Sequence, residues 1–178
     1  MLRDLSAVTP LRAVTVRYFN VAGSDPECRV GQATAKATLL IKVACEAVVG
    51  KRTHVSICGT DYPTPNGTGI GGYIHVVDLA RAHLNALDYL RAGGATTTRN
   101  CGYSHGYSVR EVLESVQHVA GKRIEIREEA RREGDPPAMV AGAERICSAL
   151  GWEPRLDELD GIVRTALRWE ERLQRSPW

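Results

Sequence analysis

The sequence predicts an α/β protein. Two observations carry that expectation. Apolar residues recur with period two in some stretches and every three to four residues in others, the patterns of strands and helices. Glycine- and proline-rich turn clusters separate these stretches throughout the chain. The 178 residues are 43% hydrophobic and 25% charged, enough apolar content for a sizeable core.

In chain order, residues 11–19 are β-branched and aromatic and predict a strand. Residues 20–31 carry Gly23, Asp25, Pro26 and Gly31 and predict a loop. Residues 36–49 predict a helix with Leu40, Val43, Ala47 and Val48 on one face, stopped by Gly50. Val55 and Ile57 alternate with polar neighbours, as a short strand does. Residues 59–69 are turn chemistry. Residues 73–77 predict an extended segment, and Asp78 is the expected cap of a helix that runs to Arg91 and ends at Gly93-Gly94.

The second half is equally regular. Residues 98–101 predict a strand. Ser108 and Glu111 have capping-box spacing and open a helix with Val109, Val112, Leu113, Val116 and Val119 on one stripe, stopped by Gly121. Residues 123–128 alternate as a strand. Residues 143–150 predict a short helix, and residues 157–173 a final one with Leu159, Ile162, Val163, Ala166 and Leu167 inward.

Composition also excludes functions. A net charge of +2 is too small for a nucleic-acid or membrane-surface protein. No apolar run reaches the length of a membrane span, and the first residues have no signal-peptide core. The five cysteines are odd in number and scattered, with no Cys-x-x-Cys pair. They predict reduced thiols and a cytoplasmic location, with neither a disulfide framework nor a metal site.

Several motifs are weighed against plainer readings. Residues 67–72 match G-x-G-x-x-G, but a proline-rich turn precedes them and an extended segment follows, so they read as a turn and not as a dinucleotide loop. Gly50-Lys51-Arg52-Thr53 lacks the first glycine and the Lys-Ser/Thr pair of a P-loop. Asn20 ends a predicted strand, the place where open parallel sheets bind ligands, although an asparagine there also serves as a turn residue. Arg132 and Asp135 offer a donor fork and a carboxylate on a proline-stiffened loop. Such a pair suits phosphate and ribose, and also occurs as a solvated charge cluster.

Taken together, Tyr18-Phe19-Asn20, the run Gly59-Thr-Asp-Tyr-Pro-Thr-Pro-Asn-Gly-Thr68, Tyr73-Ile-His-Val-x-Asp-Leu-Ala80, and Arg131-Arg-Glu-Gly-Asp-x-Pro-Ala138 resemble the UDP-glucose 4-epimerase family in order and spacing. This family belongs to the extended short-chain dehydrogenases/reductases, within the NAD-dependent epimerases/dehydratases. The resemblance runs from about Leu2 to Trp169. It implies the C-terminal part of an extended Rossmann-type fold: the last sheet strands plus the small substrate-binding lobe.

The resemblance also implies roles. Asn20 and the backbone at Leu40 would meet the substrate pyrophosphate, and Tyr18 would lie near the nicotinamide of NAD. Ser56, Ile57 and Cys58 match the strand that holds uracil. Tyr73 would line the pocket, and Arg132 and Asp135 would hold phosphate and ribose. The implied complete enzyme inverts the C4 hydroxyl of a UDP-sugar with bound NAD, as a homodimer.

The chain departs from the family pattern at several of these positions. Gly71-Gly72 stand where the family has Arg-Asp, removing a cation from the pyrophosphate site. Cys58 stands at a position often occupied by phenylalanine, Leu39 at one occupied by His or Asn, and Gly142 at one occupied by Asp. The family's Gly-x-x-Gly-x-x-Gly loop and Tyr-x-x-x-Lys pair are not in this sequence, so no catalytic residue is assigned. The chain reads as starting inside the helix that should carry that lysine, with Met1 an internal methionine and the NAD-binding half upstream. Two alternatives stand beside this reading: a UDP-arabinose or other nucleotide-sugar 4-epimerase, and a non-catalytic, decayed UDP-binding remnant.

Overall fold

In the computed structural model, residues 2–175 are described; the reading of Met1 lies outside them. The order is α1 (Leu2–Val8), β1 (Val14–Arg17), β2 (Asn20–Ala22), α2 (Leu40–Val48), β3 (Val55–Cys58), β4 (Ile70–Gly71), β5 (Tyr73–His75) and α3 (Val76–Arg91). There follow β6 (Thr97–Asn100), β7 (Tyr107–Ser108), α4 (Val109–Ala120), β8 (Ile126–Glu129), β9 (Ala138–Met139), α5 (Glu144–Leu150) and α6 (Leu159–Arg175).

Parallel pairing dominates. β1 runs beside β6 with Val14 opposite Thr97, β2 beside β5 with Asn20 opposite Tyr73, and β3 beside β8 with Val55 opposite Ile126. β4 is the centre of a small three-stranded sheet, antiparallel to β7 and parallel to β9. Parallel strands need crossovers, and the helices supply them. The core joins these layers: Ile41, Ala44 and Cys45 of α2 meet Val112, Leu113 and Val116 of α4 and Ile162, Val163 and Leu167 of α6. α4 is bounded as its sequence requires. The Ser108 Oγ accepts from the Glu111 amide, the Glu111 carboxylate answers the Ser108 amide, and Gly121 closes the helix in the left-handed region.

The sequence expectations are corrected in four places. First, the ladder of β1 ends at Arg17 opposite Asn100, and the chain changes partner, so Asn20–Ala22 is a strand on β5 and not part of a loop. Tertiary pairing overrides the turn propensity of asparagine there. Second, α2 starts at Leu40 and not at 36, because Lys36 has φ +56°, outside the right-handed helical region. Third, its inward face is Ile41, Ala44, Cys45 and Val48, with Leu40, Val43 and Ala47 half-buried; among the four residues expected inward, only Val48 is fully so. Fourth, the cap of α3 is His75, whose Nδ1 accepts from the Val77 amide at 3.1 Å.

Asp78 has another task. It lies in the first turn of α3 with no exposed surface, and its Oδ2 accepts from Tyr103 Oη and from the Arg155 and Leu156 amides at 2.8–2.9 Å. Trp152, almost wholly buried, donates to the Asp78 carbonyl at 3.0 Å. Asp78 thereby ties the approach to α6 onto α3. A buried carboxylate is tolerable only with such a donor set.

Candidate functional site

A cleft of about 720 Å³ opens between α2, β3, β4 and the 131–136 loop. That volume suits a ligand of nucleotide size. Asn20, Leu40, Ser56, Cys58, Tyr73, Arg132 and Asp135 all line it. The fold thus gathers seven of the nine sequence-nominated residues, from positions more than a hundred residues apart, on one concave surface.

Each is placed by its element. Asn20 starts β2, and its amide donates to the Gly72 carbonyl at 3.1 Å. Leu40 opens α2, where Leu39 occupies the cap position and contributes no side-chain acceptor. The first amides of that helix therefore lack a side-chain cap, as helix starts that receive anions do. Tyr73 is buried in β5, and desolvation pushes its hydroxyl up to about 12, so it stays a neutral donor.

β3 offers two surfaces. Val55 and Ile57 are buried in the core, while Ser56 and Cys58 face the cleft. The Val55 and Gly59 amides both donate toward β8, to the Glu125 and Glu129 carbonyls at 2.9 Å. By strand parity the main chain of Ser56 and Cys58 turns to the opposite edge, which no strand covers among the described residues. Free N–H and C=O groups on such an edge can pair with a planar base.

The loop after β8 is clasped in place. Arg131 Nε donates to Asp61 at 2.6 Å, and its guanidinium lies 4.2 Å from the Tyr62 ring centroid. Gly59 has φ +85°, and a Cβ there would come within 2.6 Å of Arg131. The turn at 59–62 is thus built to receive Arg131. That clasp leaves the neighbouring Arg132 and Asp135 side chains without an ion pair or hydrogen bond among the described residues, both lining the cleft.

Two nominated residues stand elsewhere. The Ile57 side chain is 1% exposed in the core, so only its backbone can serve a ligand. Tyr18 lies outside the cleft lining, 44% exposed, edge-on to His83 with centroids 6.3 Å apart. The sequence reading also missed contributors. Lys51, Arg52 and His54 line the same cleft. The signal in the sequence is the cation pair after Gly50, which does not make a P-loop but does bring charge to the cleft. The glycine-rich run at 67–72 ends in β4 and leads into β5, with no helix opening from it.

Gly71 is the position at which the sequence reading expects an arginine to be missing. A Cβ built there would come 2.9 Å from Asn20 Nδ2 and 3.8 Å from the Tyr73 hydroxyl, so its side-chain direction is into the cleft. A Cβ at Gly72 would make ordinary contact with Val140, Ala141 and Met139 at 3.5–3.6 Å.

Comparison with known proteins gives the family and the fold. The NAD dependent epimerase/dehydratase family matches residues 1–102. The chain belongs to this family. The UDP-glucose 4-epimerase of Azospirillum brasilense is 56% identical over 99% of this chain and 51% of that protein. The crystal structure of UDP-glucose 4-epimerase from Brucella ovis in complex with NAD superposes with a TM-score of 0.91 at 38% identity, over 96% of this chain and 53% of that one. The Bifidobacterium longum enzyme in complex with NAD+ and UDP gives 0.87 at 34% identity, over 98% and 51%. The chain spans about half the length of the curated relatives it matches.

Proposed function

We propose that this chain is the UDP-sugar-binding, C-terminal half of a UDP-glucose 4-epimerase. The observation that carries the reading is the single cleft shared by the unpaired Arg132 and Asp135, the uncovered main-chain edge of Ser56 and Cys58, and the uncapped start of α2. The base would lie along β3, with Ile57 supporting that strand from behind, and Asp135 would meet the ribose hydroxyls. Arg132, Asn20 and the Leu40 backbone would meet the diphosphate, with Tyr73 beneath it.

Holding UDP firmly leaves the sugar free to present either face, which inversion at one carbon demands. NAD would supply the transient oxidation at C4. Of this chain's residues only Tyr18 is assigned toward it. The acid–base pair and the Gly-rich loop would lie in the other half of the complete enzyme. The isolated chain is therefore inactive, and the complete enzyme is a cytoplasmic homodimer. No helix among the described residues is long and apolar enough to cross a membrane.

A coupled assay of UDP-galactose conversion with added NAD tests this. The expected result is no turnover above a no-protein control alongside saturable UDP binding. Turnover by the chain alone would overturn the division of labour, and absence of UDP binding would overturn the reading of the cleft.

A further inference from the structure

Behind the cleft wall lies a buried charge network that no ligand contact explains. Glu170 of α6 is 1% exposed and does not line the cleft. One carboxylate oxygen accepts from Lys42 Nζ, in the first turn of α2, and the other from Lys51 Nζ at 3.1 Å, just beyond the end of α2. Lys42 also pairs with Glu46 at 3.3 Å, and Glu46 holds Arg52 at 2.5 Å. Arg52 donates in turn to the Ala37 carbonyl at 2.9 Å, in the segment leading into α2. Burial raises the Glu46 carboxyl, but the hydrogen bonds from Arg52 and Lys42 prevail and hold it below the ordinary range. The nearby Cys45 thiol is pushed up to about 12 by burial and then by Glu170, so it stays neutral.

This closed set ties α6 to both ends of α2 and to the strap before it. Leu40, Ala37, Lys51 and Arg52 all belong to the cleft lining. A cavity of about 20 Å³, room for one water, is lined by Lys42 and Glu170 together with Asn20, Leu40 and Tyr73. A buried ion pair is weak evidence for stability, because desolvation offsets much of its attraction. Its fixed geometry is the more informative property. Leu39 gives α2 no side-chain cap, so the first turn is held from the other side, by Lys42 on Glu170.

We propose that Glu170 is a positioning residue for the phosphate-binding turn, holding the α2 amides at the diphosphate through Lys42 and Lys51. This rests on the reading of the cleft given above.

The sign of the effect separates positioning from charge. Three cations, Lys42, Lys51 and Arg52, face two carboxylates, Glu46 and Glu170. Glu170→Gln adds a net positive charge behind an anion site, and by Coulomb's law alone UDP would bind more tightly. Loss of positioning weakens it instead, by about tenfold, the scale of one lost hydrogen bond to a charged group.

The test is calorimetric titration of the chain with UDP, together with amide hydrogen exchange without ligand at Val43 and Ala44, the first amides of α2 that have a helical acceptor. Glu170→Gln should weaken UDP and speed exchange at those amides. Should that variant fail to fold, Lys42→Met with Glu170→Met leaves the net charge unchanged and removes both buried members of the pair, with Lys51 able to reach solvent and Glu46 still held by Arg52, and the same two changes are expected. UDP affinity equal to or tighter than that of the unaltered chain, with exchange unchanged, overturns the positioning role and leaves the cleft reading intact. An unaltered chain that binds no UDP overturns the cleft reading and the phosphate role of Glu170 with it, whereas the exchange result still reports whether Glu170 holds the turn.

Discussion

Gly71→Arg should tighten UDP binding. A Cβ at this position points between Asn20 and Tyr73, and Gly71 is not in the left-handed region that would penalise a side chain. The closest approach is 2.9 Å, to the Asn20 amide nitrogen, which must give by a few tenths of an ångström. That movement puts at risk the 3.1 Å bond from Asn20 to the Gly72 carbonyl, a neutral hydrogen bond of about 1 kcal/mol. An arginine fork on a diphosphate contributes about 1.5–3 kcal/mol net. The balance favours the arginine, by up to about a hundredfold in affinity when Asn20 keeps its bond and by less when it does not. The change is made at Gly71 alone, because a Cβ at the buried Gly72 points at Val140, Ala141 and Met139 and not toward Asn20 and Tyr73. Calorimetric titration with UDP at two salt concentrations is the assay, in the chain joined to the complementary half of the A. brasilense relative. Loss of backbone freedom in the unfolded chain also raises stability, so melting is measured separately. Unchanged UDP affinity in a folded protein would refute the placement of Gly71 at the phosphates.

Three further outcomes are expected. Leu39→Asn should supply the missing cap of α2 and raise stability by about 0.5–2 kcal/mol, read as a shift in the urea midpoint at constant slope. His75 is held below its ordinary pKa by burial, against a smaller opposing effect of Asp78, and its neutral Nδ1 caps α3 while Nε2 meets Thr165 at 3.1 Å. Its stabilisation is therefore fully present above about pH 6.5 and lost as pH falls below that; urea midpoints at pH 7.5 and 5.5 should differ, and differ less in His75→Asn. Val76, Ala80, Leu84 and Leu87 form an exposed apolar stripe along α3, and the outer edge of β1 carries no partner strand among the described residues. The isolated chain should self-associate, and Leu84→Lys should reduce light scattering; a monomer at high concentration would count against this.

The α/β class, the capping box and the inward stripes of α4 and α6 were legible in the sequence because local chemistry and tertiary packing agree there. The start of α2 was not. It depends on a positive φ at Lys36 that no pattern announces, and its buried face includes Lys42 and Glu46, which sequence rules place outside. Asn20 as a strand residue was illegible because its partner lies more than fifty residues away. The site was readable as motifs, and Asn20, Ser56, Cys58, Tyr73, Arg132 and Asp135 do share one cleft. The clasp of Arg131 by Asp61 and the hub at Glu170 were not readable, since both depend on contacts between distant segments.

The central claim is that this half of the fold holds UDP by itself. Titration of UDP into the chain and into Arg132→Ala, followed by calorimetry and by amide shifts along β3, tests it most directly. The account predicts saturable binding, shifts at Ser56 and Cys58, and an affinity loss of about tenfold to a hundredfold in the variant, the scale of one charge-assisted contact. Equal UDP binding by both proteins, or none by the unaltered chain, would contradict it.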